Sequence, residues 1–166
     1  MVQSERGNGP AMAVERCHFV LFAKPSEDHP LIPQKLMNVK RMDQLIQQTE
    51  THIECWKQFN HYVNLARTKK FTPDDETNFL ELKSVIAQDL EGIFASIETQ
   101  SPSKEEILGL IGIAPSLRYL SEMGDGELRG IENNWHKIYI AWHSILGQLK
   151  IKMRNDEGTA LFWKKK

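Results

Sequence analysis

The sequence predicts an all-α fold: an up-and-down four-helix bundle with its third helix broken near Pro115, preceded by a short N-terminal extended arm. Three observations support this: apolar residues recur at steps of three and four, caps and prolines mark helix starts, and strand-like character is confined to one short run. The clearest recurrence lies within 131–153, at Ile131, Trp135, Ile138, Trp142, Ile145 and Leu149. These residues share one helical stripe, so we expect the last helix to be the buried centre of the domain.

The chain divides into a flexible N-terminus and extended arm (1–32), a helical bundle (33–155) and a C-terminal tail (156–166). Residues 14–22, VERCHFVLF, form the strand-like run, and the prolines that follow exclude a helix there. We expect this run to lie extended across the bundle, or alternatively to pair with the same strand of a second copy. The aromatic and lysine-rich tail is expected to fold back on the domain, with binding to an anionic membrane as the alternative.

Residues 34–69 contain neither proline nor glycine and are predicted to form one long helix. A heptad seam runs along it at Val39, Met42, Ile46, Thr49, Ile53, Trp56, Asn60 and Val63. At 1.5 Å per residue this helix would be roughly 54 Å long, longer than the predicted later helices. It must therefore break or project, and a projecting apolar end would need a partner.

The second helix is predicted to begin with Thr72 as cap and Pro73 in the first turn, and to end near Thr99. A third begins at the capping box formed by Ser103 and Glu106 and runs through 113. A proline at 115 separates it from a short helix that runs to about residue 123. The last helix follows a glycine-containing turn at 124–126 and is predicted to end at about residue 154.

Length and composition indicate one globular domain. The chain has 166 residues, of which 40% are hydrophobic and 26% charged. No apolar run approaches the roughly 20 residues that span a bilayer, and no clear signal peptide precedes residue 17, so we expect a cytoplasmic protein without a membrane span. Cys17 and Cys55 lack metal-binding spacing and are interpreted as buried thiols.

Charge is distributed unevenly along the chain. Residues 1–70 hold 10 Lys and Arg against 7 Asp and Glu, residues 71–132 hold 4 against 13, and residues 133–166 hold 7 against 2. The acidic middle therefore lies between two basic ends. We favour ion pairing between helices within the bundle as the explanation, and an acidic face that binds a basic partner is the alternative.

The strongest candidates for ligand binding lie on one flank of the last helix: Trp135, His136, Tyr139, Trp142 and His143. Residues seven apart project from the same side of a helix. A metal site would combine the two histidines with Glu50 or Glu54, but seven residues separate the histidines by about 10 Å along the axis. We therefore assign no metal ligands, and hydrogen-bonded boundary histidines are the simpler interpretation.

No recognisable nucleophile motif or phosphate-binding glycine loop occurs, so we assign no catalytic residues and no cofactor, and we favour a protein that is not an enzyme. Residues 105–123 have the rhythm of a helix-turn-helix. Arg118 is the only basic residue of its second helix, and acidic residues flank the motif, so nucleic acid is not the expected partner. A kinked third bundle helix explains this stretch more simply.

We therefore expect a non-enzymatic helical-bundle protein that binds another protein or itself, with a homo-oligomer as the default. The long first helix, its heptad seam and the charge blocks are the basis for this hypothesis. The first alternative is a small-ligand or metal-binding bundle that uses the Trp/His flank of the last helix. The second alternative is a DNA-binding regulator acting through residues 105–123.

Overall fold

Five helices build the part of the chain that the computed structural model describes, residues 34–97 and 101–163, with side chains described for 38–97 and 101–155. They are α1 (Gln34–Thr68), α2 (Pro73–Phe94), α3 (Lys104–Ile113), α4 (Leu117–Glu122) and α5 (Asp125–Trp163). The predicted all-α class is confirmed. The predicted N-terminal arm and its strand-like run lie outside the described residues. None of the five helices is both long and apolar enough to cross a bilayer.

Local capping fixes the starts of α2 and α3, as predicted. The Thr72 hydroxyl accepts a hydrogen bond from the Asp75 backbone N–H at 3.2 Å, and the Asp75 carboxylate accepts one from the Thr72 N–H at 2.8 Å. Ser103 and Glu106 make the same reciprocal pair at 3.1 and 2.8 Å. Each box satisfies two backbone donors that the first helical turn leaves without partners.

Two helix ends differ from the prediction. α2 ends at Phe94 instead of near Thr99, because the Ser96 N–H bonds the Ile93 carbonyl and tightens the chain into a turn. α5 continues to Trp163, through the residues predicted as the C-terminal tail. A glycine in a helix interior, such as Gly158, lowers the stability of the helix by only about 1 kcal/mol relative to alanine, which is not enough to end a long helix.

α1 and α5 run antiparallel along one another. Arg67 of α1 pairs with Glu132 near the start of α5, and Glu50 of α1 pairs with Lys150 near its other end, at 2.7 and 2.6 Å. α1 also packs on α2 and α4, whereas α5 packs mainly on α1 and α3 and reaches α2 where Trp142 meets Phe94. The central helix is therefore α1 and not α5, contrary to the sequence expectation.

The predicted seam of α1 is buried along the middle of the helix. Ile53, Trp56 and Val63 are almost fully enclosed, and their neighbours Phe59 and Ala66 widen the buried arc towards α2. The polar seam residue Thr49 is also fully buried, and its hydroxyl donates to the Leu45 carbonyl at 2.8 Å. Burial of this hydroxyl is tolerated because the donor is satisfied within the helix.

Two side chains of α2 hold the break between α3 and α4. The Lys83 ammonium donates to the carbonyls of Ala114 and Pro115 at 2.7 and 3.1 Å. Glu76 accepts hydrogen bonds from the backbone N–H groups of Leu117 and Arg118 at 3.2 and 3.1 Å. A cation thus covers the C-terminal end of α3 and an anion the N-terminal end of α4, as the helix dipoles favour.

Candidate functional site

The five residues predicted to form a ligand-binding flank separate into two groups. Trp135 and Tyr139 are half-buried and stacked, with ring centroids 4.9 Å apart, and the exposed His143 meets Tyr139 edge-on at 4.6 Å. His136 is exposed beside Trp135. These four form an aromatic row on the side of α5 near α1, open to solvent and not enclosed between helices.

Trp142 points away from that row and into the core. It is fully buried, and its ring meets His52 of α1 at 4.6 Å and Phe94 of α2 at 5.9 Å. The structure therefore does not bring the five predicted residues around one cavity. A ligand site on this flank stays a prediction, and it would have to use the exposed row without Trp142.

A buried histidine of α1, to which the sequence alone assigned no specific role, connects the two groups. His52 of α1 has no exposed surface, and its Nε2 accepts a hydrogen bond from Trp56 Nε1 at 2.9 Å. The backbone carbonyl of Trp56 in turn accepts a hydrogen bond from Trp135 Nε1 at 2.7 Å. Trp142 packs on the other side of the imidazole. Three tryptophans from two helices are thus joined around one titratable group.

The hydrogen bond from Trp56 assigns the tautomer of His52. An indole N–H is a donor only, so Nε2 must be unprotonated and the imidazole proton lies on Nδ1. Asp89 Oδ2 of α2 is 3.9 Å from Nδ1, an ion-pair separation that is too long for a direct hydrogen bond. A second proton would place Nε2–H against the indole N–H, so the folded protein favours the neutral ring.

The surroundings of His52 also favour the neutral imidazole. Burial lowers the pKa of the imidazole below its ordinary value, and the Asp89 carboxylate offsets part of this effect. A neutral imidazole can act as a proton acceptor or a metal ligand, but here Nε2 is already occupied by Trp56. Among the side chains that the structure describes, no group of three His, Cys, Asp or Glu residues is placed to hold a metal ion. His52 is therefore best understood as a buried polar link between α1, α2 and α5.

The sequence did contain a signal for His52. It lies three residues after Thr49 and four before Trp56, so it shares the buried side of α1 with both. The heptad seam instead predicted Ile53 as the buried residue of that turn. A helix that packs on several neighbours buries more than one residue per turn. Spacing alone could not indicate that α2 and α5 would cover both sides of α1.

The proposed helix-turn-helix segment is present as two short helices, and the second of them packs into the helical core. α4 packs on α1 and α2, and Leu117 and Leu120 are buried there. Arg118 is exposed and lies 3.8 Å from Glu122 in a surface pair. DNA binding by this segment stays a prediction.

A different surface shows the features of a contact site: the outward side of α5, opposite its core stripe. Ile140 and Ile151 have 55% and 57% of their surface exposed and lie eleven residues, or three turns, apart on one side. The exposed cations Lys137 and Arg154 lie three residues outside each isoleucine, and Arg154 also borders a groove lined by Asp43 and Ile46 of α1. Residues 133–155 include no acidic residue at all. We call the side defined by these four residues the basic face.

The fold and these surfaces define the class of the protein as an all-α helical protein with a tryptophan-rich core and an outward basic face. Comparison with protein-family models, curated proteins and solved structures finds no match for the chain. Its function is therefore argued from its own side chains.

Proposed function

We propose that the chain is a non-enzymatic helical protein that acts by binding another protein or itself through the basic face of α5. The observation that carries this proposal is the exposure of Ile140 and Ile151 on one side of a helix that already has a complete core stripe. Apolar residues at this spacing favour a second helix-packing surface. Lys137 and Arg154 would supply a charged rim of the kind that surrounds apolar contacts in protein interfaces.

The distribution of ion pairs supports an interaction surface. Within the described part of the chain, one Lys or Arg ion pair, Arg67–Glu132, joins the acidic middle block to a basic end. The other pairs of the acidic block, Lys104–Glu91 and Arg118–Glu122, are internal to it. Ion pairs between helices therefore account for few of the described carboxylates. Asp75, Glu76 and Glu106 instead accept backbone hydrogen bonds within the fold, which leaves only the remaining exposed charges of the block for contacts with partners.

Affinity capture with matched surface variants tests the proposal. The tagged full chain would be compared with the double variant Ile140→Ser/Ile151→Ser in an extract of the cells that make the protein, and quantified by mass spectrometry. A control, Ile113→Ser/Tyr119→Ser, removes two similarly exposed apolar side chains from α3 and α4. Circular dichroism would verify that all three chains are folded.

We expect at least one protein, either the chain itself or another, to be recovered with the parent and the control but to be lost about tenfold with the α5 variant. Recovery of the same proteins in the same amounts by all three chains would overturn a binding role for this face. The capture also separates self-association from binding to other proteins, because an untagged copy of the chain would appear among the recovered proteins.

A further inference from the structure

An open groove lies between α1 and α5 along the first half of α1. The described side chains that line it are Asp43, Ile46, Lys150, Met153 and Arg154. Its described lining therefore comes from α1 and α5 alone. The groove holds about 270 Å³, whereas sites for small molecules typically hold roughly 300–1,000 Å³. It therefore suits a few side chains of a polypeptide better than a cofactor-sized molecule.

The apolar seam of α1 is less well covered on the N-terminal side of this groove. Val39 and Met42 are half-buried, whereas the later seam residues Ile53, Trp56 and Val63 are almost fully enclosed. Because the burial of apolar surface is favourable, this end of the seam can still pack against a further segment.

The strand-like run of residues 14–22 is an apolar segment with enough connecting chain to reach this groove. Eleven residues, 23–33, connect it to Gln34, where α1 begins. The twelve steps from Phe22 to Gln34 span up to about 40 Å, whereas Asp43 lies only about 14 Å along α1 from Gln34. The run can therefore lie in the groove of its own chain.

One side of this run combines a carboxylate with apolar residues. Successive side chains of an extended strand point to opposite sides. Glu15, Cys17, Phe19 and Leu21 would therefore share one side, with the carboxylate followed by three apolar residues.

The groove offers a cation beside an apolar surface. Arg154 is exposed and takes no part in the ion pairs among the described side chains, whereas Lys150 is paired with Glu50 at 2.6 Å. Met153 and the buried Ile46 supply the apolar surface. A carboxylate that enters the groove is therefore favoured at Arg154, with apolar side chains next to it.

We propose that residues 14–22 dock in this groove of the same chain. Glu15 would pair with Arg154 on the α5 edge, away from Asp43 on the α1 edge. Cys17, two residues further on the same side of the strand, would lie over Met153. The inference goes beyond the proposed function and does not depend on it, because the exposed isoleucines of the basic face do not line the groove.

Disulfide trapping with the native Cys17 tests this placement in the full chain. In Met153→Cys, a bond between residues 17 and 153 requires their Cα atoms to lie within about 7 Å. Oxidised glutathione would take up the two electrons, and mass spectrometry of the digested, unreduced protein would identify the bond. Cys55 is fully buried and therefore protected from the oxidant. The control Ser144→Cys places a thiol at an exposed position of α5, nine residues or about 14 Å from residue 153.

We expect the bond between residues 17 and 153 to form within one chain, at least about tenfold faster than the corresponding bond in the control. Equal rates in the two variants, or no such bond in the monomer, would overturn the proposal. A bond between chains, seen as a species of twice 19.2 kDa, would assign the groove to the run of a second copy and would also overturn it. None of these outcomes affects the capture experiment, so the two proposals fail separately.

An exchange of charges in the Met153→Cys chain provides the sharper test. Glu15→Arg or Arg154→Glu alone should slow the formation of the bond about two- to fivefold, because each variant places like charges together. The two changes combined restore unlike charges, so the rate should recover. The control Glu5→Arg makes the same change of net charge as Glu15→Arg outside the run and should leave the rate unchanged. Unaltered rates in the single variants, or a combined variant that stays slow, would overturn the placement of Glu15 at Arg154 and with it the proposal.

Discussion

α1 and α5 are the two longest helices and lie side by side, yet they are buried to very different degrees. α1 contacts α2, α4 and α5, and its buried side chains occupy a wide arc that includes the polar residues Thr49 and His52. α5 packs mainly on α1 and α3, meets α2 only where Trp142 contacts Phe94 among the described side chains, and leaves Ile140 and Ile151 exposed. Apolar spacing alone therefore does not decide burial, because a residue is covered only where another helix packs on its side of the helix.

The largest expected effect on the free energy of unfolding distinguishes the core side of α5 from its outward side. Trp142→Ala should lower the free energy of unfolding by about 3–5 kcal/mol, because it removes a fully buried ring that packs on His52 and Phe94. Ile140→Ala should change it by less than about 0.5 kcal/mol in the monomer. Urea titrations of both variants provide the measurement. Similar losses for the two would show that the outward side of α5 is also part of a packed core.

The buried His52 of α1 should make the free energy of unfolding depend on pH. Burial holds the pKa of His52 in the folded protein below its value of about 6.5 in the unfolded chain. The stabilisation from the neutral imidazole is therefore fully present above about pH 6.5 and is lost as the pH falls through the folded-state pKa. One proton bound on unfolding gives a slope of at most about 1.4 kcal/mol per pH unit.

The matched variant for this prediction is His52→Gln, whose amide oxygen can accept the Trp56 hydrogen bond without titrating. Urea midpoints would be measured between about pH 7.5 and pH 5 for both chains. We expect the difference in stability between parent and variant to shrink as the pH falls. Parallel pH profiles would mean that His52 is equally easy to protonate in the folded and unfolded states.

Sequence patterns predicted local features of this fold well. The caps at Thr72 and Ser103 were identified because the interacting residues lie within three positions of one another. The long span of α1 followed from the lack of proline and glycine between 34 and 69. The end of α5 was placed too early because glycine and polar residues were treated as a stop, although they weaken a helix without ending it.

Features that depend on packing between helices could not be predicted in the same way. The side chains of Trp135 and Trp142 are seven residues apart on one stripe, yet the first lies at the surface row and the second in the core. Trp142 is covered because His52 of α1 and Phe94 of α2 pack on it. The burial of His52 could not be predicted for the same reason, since it requires α2 on one side and α5 on the other.

The ion pairs at the two ends of the α1 and α5 contact should differ in strength. Arg67 and Glu132 are 31% and 27% exposed, whereas Lys150 and Glu50 are 49% and 46% exposed. We expect Arg67→Met to cost about 1 kcal/mol and Lys150→Met about 0–0.5 kcal/mol, because solvent screens the more exposed pair. Double-mutant cycles with Glu132→Gln and Glu50→Gln would isolate each pair, and equal coupling energies would contradict the prediction.

The smallest effect concerns the C-terminal end of α1. Lys69 has a φ of 55°, in the left-handed region, where its N–H bonds the Ala66 carbonyl at 3.0 Å and the next N–H bonds Leu65 at 3.2 Å. This pattern is a Schellman motif, which favours glycine at the position of Lys69. The left-handed conformation costs a side-chain-bearing residue about 1–2 kcal/mol. The greater conformational entropy of glycine in the unfolded chain offsets about 0.5–1 kcal/mol of the gain from removing this strain. Lys69→Gly should therefore stabilise the protein by about 0.5 kcal/mol in thermal unfolding, whereas the control Lys70→Gly, one residue later, should not stabilise it. A loss of stability in Lys69→Gly would show that this end of α1 does not adopt the motif.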